Sequence, residues 1–185
     1  MIIEIGTSDF NTNAGKVDGI FIEPVKFYYD RLPDCKKENV AISNVEGELD
    51  MFSLTEPQIK EYKLPNWIRG CSSLAKMHPT MAKELKKRGL SQDIVNVDKV
   101  PVVRIKSIIE KYGLEEIDYL KVDTEGHDCV IINDLLDTVD IKPKKIKFEN
   151  NVLSAKADVK LLVERLKRDY DIKYLKNDIE CYLKQ

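Results

Sequence analysis

The sequence predicts an α/β fold: a mostly parallel sheet that ends in an antiparallel β-hairpin, with helices on both faces. Three observations carry that expectation. Short apolar runs alternate with segments of helical spacing, the pattern of strands crossing over through helices. Two of the runs end in polar clusters, Glu4-Ile5-Gly6-Thr7-Ser8 and Val122-Asp123-Thr124-Glu125-Gly126-His127-Asp128, as in open sheets whose ligands sit beyond the carboxyl ends of the strands. The last stretch changes to alternating apolar and polar residues, the period of a strand half exposed to water.

Taken in chain order, the strand-like runs are Met1 to Ile5, Gly19 to Glu23, Asn39 to Ser43, Ile117 to Val122 and Lys145 to Phe148. Helical spacing occurs at Phe27 to Leu32, Ile105 to Tyr112, Cys129 to Leu136 and Ala157 to Tyr170. Gly113 closes the second of these helices, and Pro79 with Gly89 brackets one more, in the places where proline starts and glycine ends a helix. Asp171 to Lys176 and Ile179 to Lys184 read as a tight hairpin about Asn177-Asp178, residues that tolerate a left-handed turn. Asn11-Thr12-Asn13-Ala14-Gly15 reads as loop, so only Thr7 to Asp18 separate the first two strands. With no internal repeat or linker composition, residues 1–185 read as one domain, long enough to bury roughly 70% of its unfolded surface.

Thirty basic against thirty-two acidic residues give a net charge of −2, so no strong field draws the chain to nucleic acid or an anionic membrane. The basic clusters at Lys83 to Arg88 and Lys142 to Lys147 read as solvated faces. No apolar run approaches the ~20 residues of a membrane span, and no basic segment with an apolar core opens the chain. Cys35, Cys71, Cys129 and Cys181 lack the spacing of a zinc site and read as reduced, structural thiols. The cytoplasm is the expected compartment.

Chemistry gathers at the strand ends. Gly6 permits a sharp turn and close backbone approach to a ligand. Glu23, ending the second strand roughly 20 residues on, suits the vicinal hydroxyls of a ribose. Thr7, Ser8, Asp9 and Phe10 follow Gly6 without the second and third glycines that seat a pyrophosphate. An adenosyl ligand without phosphates, S-adenosylmethionine, fits this pattern better than a dinucleotide.

The residues that carry this pattern resemble the FkbM-type S-adenosylmethionine-dependent methyltransferases. They are Ile3-Glu4-Ile5-Gly6, Phe21-Ile22-Glu23-Pro24, Asn39-Val40-Ala41-Ile42-Ser43, Gly70-Cys71-Ser72-Ser73-Leu74, the Ile117 to Asp128 block and Ile146-Lys147-Phe148-Glu149-Asn150. The resemblance runs from Met1 to about Leu153. It implies a class I, Rossmann-like fold and O-methylation, often of a sugar hydroxyl in a glycan or secondary metabolite. It further implies that Glu4, Gly6, Thr7 and Ser8 shape the methionine end of the cofactor site. Glu23, beside Pro24, would hold the ribose, Ala41 and Ile42 would flank adenine, and Asp123 would lie near the sulfonium. The short first connection departs from the family, as does a chain that opens on the first strand without capping helices; the pocket is then expected to be more open or to be covered by a second copy of the chain.

Activation of a hydroxyl acceptor needs a general base or a divalent metal. His127, inside the acidic block and next to Asp128, reads as the general base that Asp128 could orient, or as a residue of the first turn of the helix beginning near Gly126; Asp123 and Glu125 are the catalytic candidates beside it. His78 reads as a helix-entry residue or substrate contact. Asp123, Glu149 and Asn150 offer three oxygens for magnesium or manganese, or Glu149 and Asn150 bind the acceptor directly. Ser72, Ser73 and Trp67 fall in the segment expected to hold the acceptor, with core packing the simpler role for Trp67. Two rivals stand beside the transferase: a module that binds S-adenosylmethionine without turnover, and a nucleotide-sugar or nicotinamide enzyme of related architecture.

Overall fold

The computed structural model describes residues 1–9, 12–150 and 155–185. Phe10, Asn11 and Leu153 lie outside them. Among the described residues seven strands form the main sheet: β1 (Ile2–Ile5), β2 (Gly19–Ile22), β3 (Lys36–Glu38), β8 (Tyr119–Val122), β9 (Lys145–Glu149), β10 (Tyr170–Tyr174) and β11 (Asp178–Leu183), in the order β10-β11-β9-β8-β1-β2-β3. From β9 to β3 the neighbours run parallel, and β11 joins β9 antiparallel before turning back into β10. The closing hairpin is therefore present. Its turn is bonded from the Leu175 N–H to the Asp178 carbonyl, and neither Asn177 nor Asp178 takes a positive φ.

Alternation along each strand divides the sheet into two unlike faces. Ile3, Ile5, Ile20, Ile22, Leu120, Val122, Ile146 and Phe148 share one buried cluster with residues of α4 (Ile105–Lys111), α5 (Asp128–Thr138) and α6 (Lys156–Leu166). Each such side chain contributes about 2 kcal/mol of apolar burial. The residues between them, Glu4 and Lys121, form a buried ion pair on the other face, Nζ to Oε1 3.3 Å. There Phe21 packs with Leu32, Ala14 and Tyr29, the last residue of α1 (Lys26–Tyr29).

Residues 41–103 build a second sheet that the apolar pattern did not announce. It comprises β4 (Ala41–Ile42), β7 (Asn96–Val103), β5 (Gly47–Ser53) and β6 (Ser73–Leu74), in that order. The expected third strand, Asn39 to Ser43, is thereby corrected. Lys36–Glu38 is the strand that pairs with β2, while Ala41 and Ile42 pair with Val102 and Val103 of the second sheet. Asn39 lies between them, its side-chain amide donating to the Glu23 and Pro24 carbonyls. That bond breaks the run into two pieces. Around this sheet lie α2 (Glu56–Glu61), a 3₁₀ turn at Asn66–Cys71, and α3 (Pro79–Lys87), with Gly89 in the left-handed conformation after it. Val25 and Tyr28 pack on Met51, Val100 and Val102, joining the second sheet to the first. Trp67 is half exposed, at 50%, because the 3₁₀ turn directs Ile68 and Cys71 inward instead. No helix among the described residues is long and apolar enough to cross a membrane.

Candidate active site

Register places the chemistry. Ile5 of β1 lies opposite both Ile22 and Val122, and Val122 lies opposite Phe148, so Gly6, Glu23, Asp123 and Glu149 emerge from four adjoining strand tips. They line one cavity that opens to solvent. Gly6 has φ +76, and a Cβ there would stand 1.9 Å from the Asp123 carbonyl oxygen. Only glycine fits where the two tips touch.

At one end, the buried Glu23 accepts the Ser8 N–H on Oε2 and the Val25 N–H on Oε1, both at 2.8 Å. Burial pushes its carboxyl up to about 7 despite those bonds. Apolar side chains surround this end: Val40, Ala41 and Ile42 at the start of the second sheet, with Tyr28, Met51 and Leu74.

The other end is acidic. Asp123, Glu125 and Glu149 each bring a carboxylate oxygen within 4.8 Å of the others. Glu125 has φ 52, a left-handed conformation that costs a non-glycine residue about 1–2 kcal/mol. Burial and the charge of Asp123 push its carboxyl up to about 8, and burial with the charges of Glu125 and Asp123 pushes Glu149 to about 9. Asp128, 1% exposed, holds the turn together: Oδ1 accepts from the Thr124 N–H and hydroxyl, and Oδ2 from the Glu149 N–H. Cys71, its thiol pushed up to about 12 by burial and by Glu125 and Glu149, is inert as a nucleophile. All four cysteines are free thiols.

His127 lines the cavity, and its Nε2 lies 2.9 Å from the Ser43 hydroxyl. Burial lowers its pKa, which favours the neutral ring. The 3₁₀ turn supplies Arg69 and Gly70, followed by Ser72. Arg69 stands 4.0 Å from Asp9.

Of the expected residues, Gly6, Thr7, Ser8, Glu23, Pro24, Ala41, Ile42, Ser72, Asp123, Glu125, His127 and Glu149 come together around this cavity. Glu4 is fully buried outside it, with Oε2 accepting from the backbone and side chain of Asn13 and Oε1 facing Lys121. It braces the short connection after β1. Ser73 is also turned away, its hydroxyl donating to the Lys76 carbonyl. Asn150 does not line the cavity; its N–H donates to the Asn177 carbonyl, so the third carboxylate beside Asp123 and Glu149 is Glu125. The sequence reading missed Arg69 and Lys121. A lysine inside the apolar run Tyr119 to Val122 was the available signal for Lys121, since a buried amine needs a carboxylate partner.

A family model described as methyltransferase FkbM domain matches residues 5–171. A solved structure described as methyltransferase FkbM from Methylobacillus flagellatus KT aligns with a TM-score of 0.59 at 12% sequence identity. The alignment covers 98% of this chain and 43% of that one. This chain thus spans less than half that protein's length, and the likeness is one of fold. No curated protein matches the sequence.

Proposed function

The chain belongs to the methyltransferase FkbM domain family, and from that premise we propose that it methylates a hydroxyl oxygen of a small molecule or glycan, using S-adenosylmethionine. The observation that carries this reading is the single cavity with the Glu23 carboxylate at an apolar end and three carboxylates at the other. Such a cavity matches a nucleoside joined to a cationic sulfur. Glu23 would hold the ribose hydroxyls, Val40, Ala41 and Ile42 the adenine, and Thr7 and Ser8 the methionine end. When bound, the cofactor supplies a sulfonium methyl that an acceptor oxygen takes in line, the C–S electron pair remaining on sulfur.

The chain's own part is to position, exclude water and receive a proton. Glu125 faces the acceptor end and, once ionised, accepts the hydroxyl proton. Asp123 and Glu149 hold negative charge beside it, and Arg69 and Ser72 offer donors to the acceptor. Residues 1–185 act as one domain, in keeping with the packing of α1 on the second sheet. The convergence of Asp123, Glu125 and Glu149 within 4.8 Å supports a second reading, in which these three carboxylates would hold magnesium or manganese and the ion would make the acceptor hydroxyl more acidic. Turnover that survives exhaustive chelation removes that second reading.

Isothermal titration and product release test the proposal. The chain is expected to bind S-adenosylhomocysteine and to ignore NAD. With S-adenosylmethionine and a panel of methyl glycosides, it is expected to release S-adenosylhomocysteine. Binding without release on any hydroxyl acceptor supports the non-catalytic module, and heat with NAD alone overturns the assignment.

A further inference from the structure

We propose that His78 is a positioning residue for Glu125, presenting an Nε2–H donor that aims the carboxylate at the acceptor. This deepens, and rests on, the transferase reading above. His78 is the residue before Pro79, which opens α3, and has φ −59 and ψ 127, the extended conformation that a following proline imposes. From there its Nδ1 accepts the Thr80 N–H at 3.1 Å. A ring nitrogen that accepts a hydrogen bond carries no proton, so the neutral imidazole bears its hydrogen on Nε2. The side chain is almost wholly enclosed, at 2% exposure. Nε2 makes no hydrogen bond among the described residues and stands 3.5 Å from Oε2 of Glu125. A buried N–H is costly to leave unmet, and catalytic bonds that are long without substrate tighten when it arrives.

The helix N-terminus thus selects the tautomer, and the tautomer selects the role. With its hydrogen on Nε2, His78 faces the carboxylate as a donor and is excluded as a metal ligand at that atom. Glu125 needs such support, because its own backbone is in the left-handed region and its neighbours Asp123, Asp128 and Glu149 are all acids. His127 is engaged with Ser43 instead. No proton moves to His78 during transfer; the acceptor's proton stays on Glu125.

Two measurements decide the point. In the unliganded protein carrying ¹⁵N-histidine, long-range ¹H–¹⁵N correlation is expected to show His78 with a bare Nδ1 and a protonated Nε2. Glu125→Gln should shift that Nε2–H resonance, while Ser43→Ala should shift only His127. A protonated Nδ1, or a His78 signal indifferent to Glu125→Gln, overturns the proposal.

The second measurement is turnover with the best methyl glycoside of the panel. His78→Phe should lower kcat about 10- to 100-fold, the worth of a hydrogen bond to a charged group. Affinity for S-adenosylhomocysteine should stay within about 2-fold. His78→Gln, which returns an N–H at the reach of Nε2, should recover most of the rate. In a Glu125→Gln background, His78→Phe should cost nothing further. Equal losses with and without Glu125 overturn the positioning role. A wild-type chain that fails to bind S-adenosylhomocysteine instead overturns the transferase reading, and the tautomer experiment still decides the His78 contact.

Discussion

Along the floor of the cavity, four strand tips deliver Gly6, Glu23, Asp123 and Glu149 by sheet register, whereas the wall above them comes from residues 41–103, outside that sheet. The floor has little room, since a Cβ on Gly6 would strike the Asp123 carbonyl, Glu23 is held by the Ser8 and Val25 amides, and Asp128 ties the Thr124 and Glu149 amides together. The wall is held by apolar packing of α1 on the second sheet, and its tip at Trp67 is open to water. The proposed cofactor site therefore draws on both, taking Glu23 from the floor and Ala41 and Ile42 from the wall.

The sharpest way to break this contrast is Gly6→Ala. The added Cβ meets the Asp123 carbonyl at 1.9 Å in a positive-φ backbone, so a loss of about 4 kcal/mol or failure to fold is expected by urea denaturation. A stable variant would show that the floor yields after all. Next comes Glu23→Ala, expected to weaken S-adenosylhomocysteine binding about 10- to 100-fold by calorimetry; unchanged affinity would take Glu23 out of the cofactor site.

A pH series follows. Folded Glu125 and Glu149 hold their protons more tightly than the ordinary glutamate near 4.5. Their contribution to stability is thus complete below that value and is lost as pH rises through about 8 and 9. The melting temperature of the unliganded chain should fall over that window, and Glu149→Gln should flatten the fall. A rise in its place would mean that a cation or another charge already compensates the cluster. The smallest effect belongs to the wall: Trp67→Ala should change stability by less than about 0.5 kcal/mol, and a larger loss would show that this turn is packed as tightly as the floor.

The same division explains what was legible beforehand. Strands such as Ile2–Ile5 and Tyr119–Val122 carry their inward face as isoleucine, leucine and valine, and strand ends dressed with acids advertise a site. The second sheet has no such signature. Gly47–Ser53 and Asn96–Val103 are half exposed and mix charges with apolar residues, and Lys36–Glu38 is polar throughout. Their pairing was decided by partners distant in sequence. Glu23, Asp123 and Glu125 were readable from their own strands, but the approach of His78 to Glu125 joins two positions far apart in the chain.

The lack of room between the Gly6 turn and the Asp123 carbonyl also implies that the two loops should shift together. A nucleoside lacking any sulfur, settling only at the Glu23 end, would slow hydrogen exchange at the Thr124 amide on the far side. Occupancy at one end of the cleft would then be announced at the other without a hinge or a moving domain.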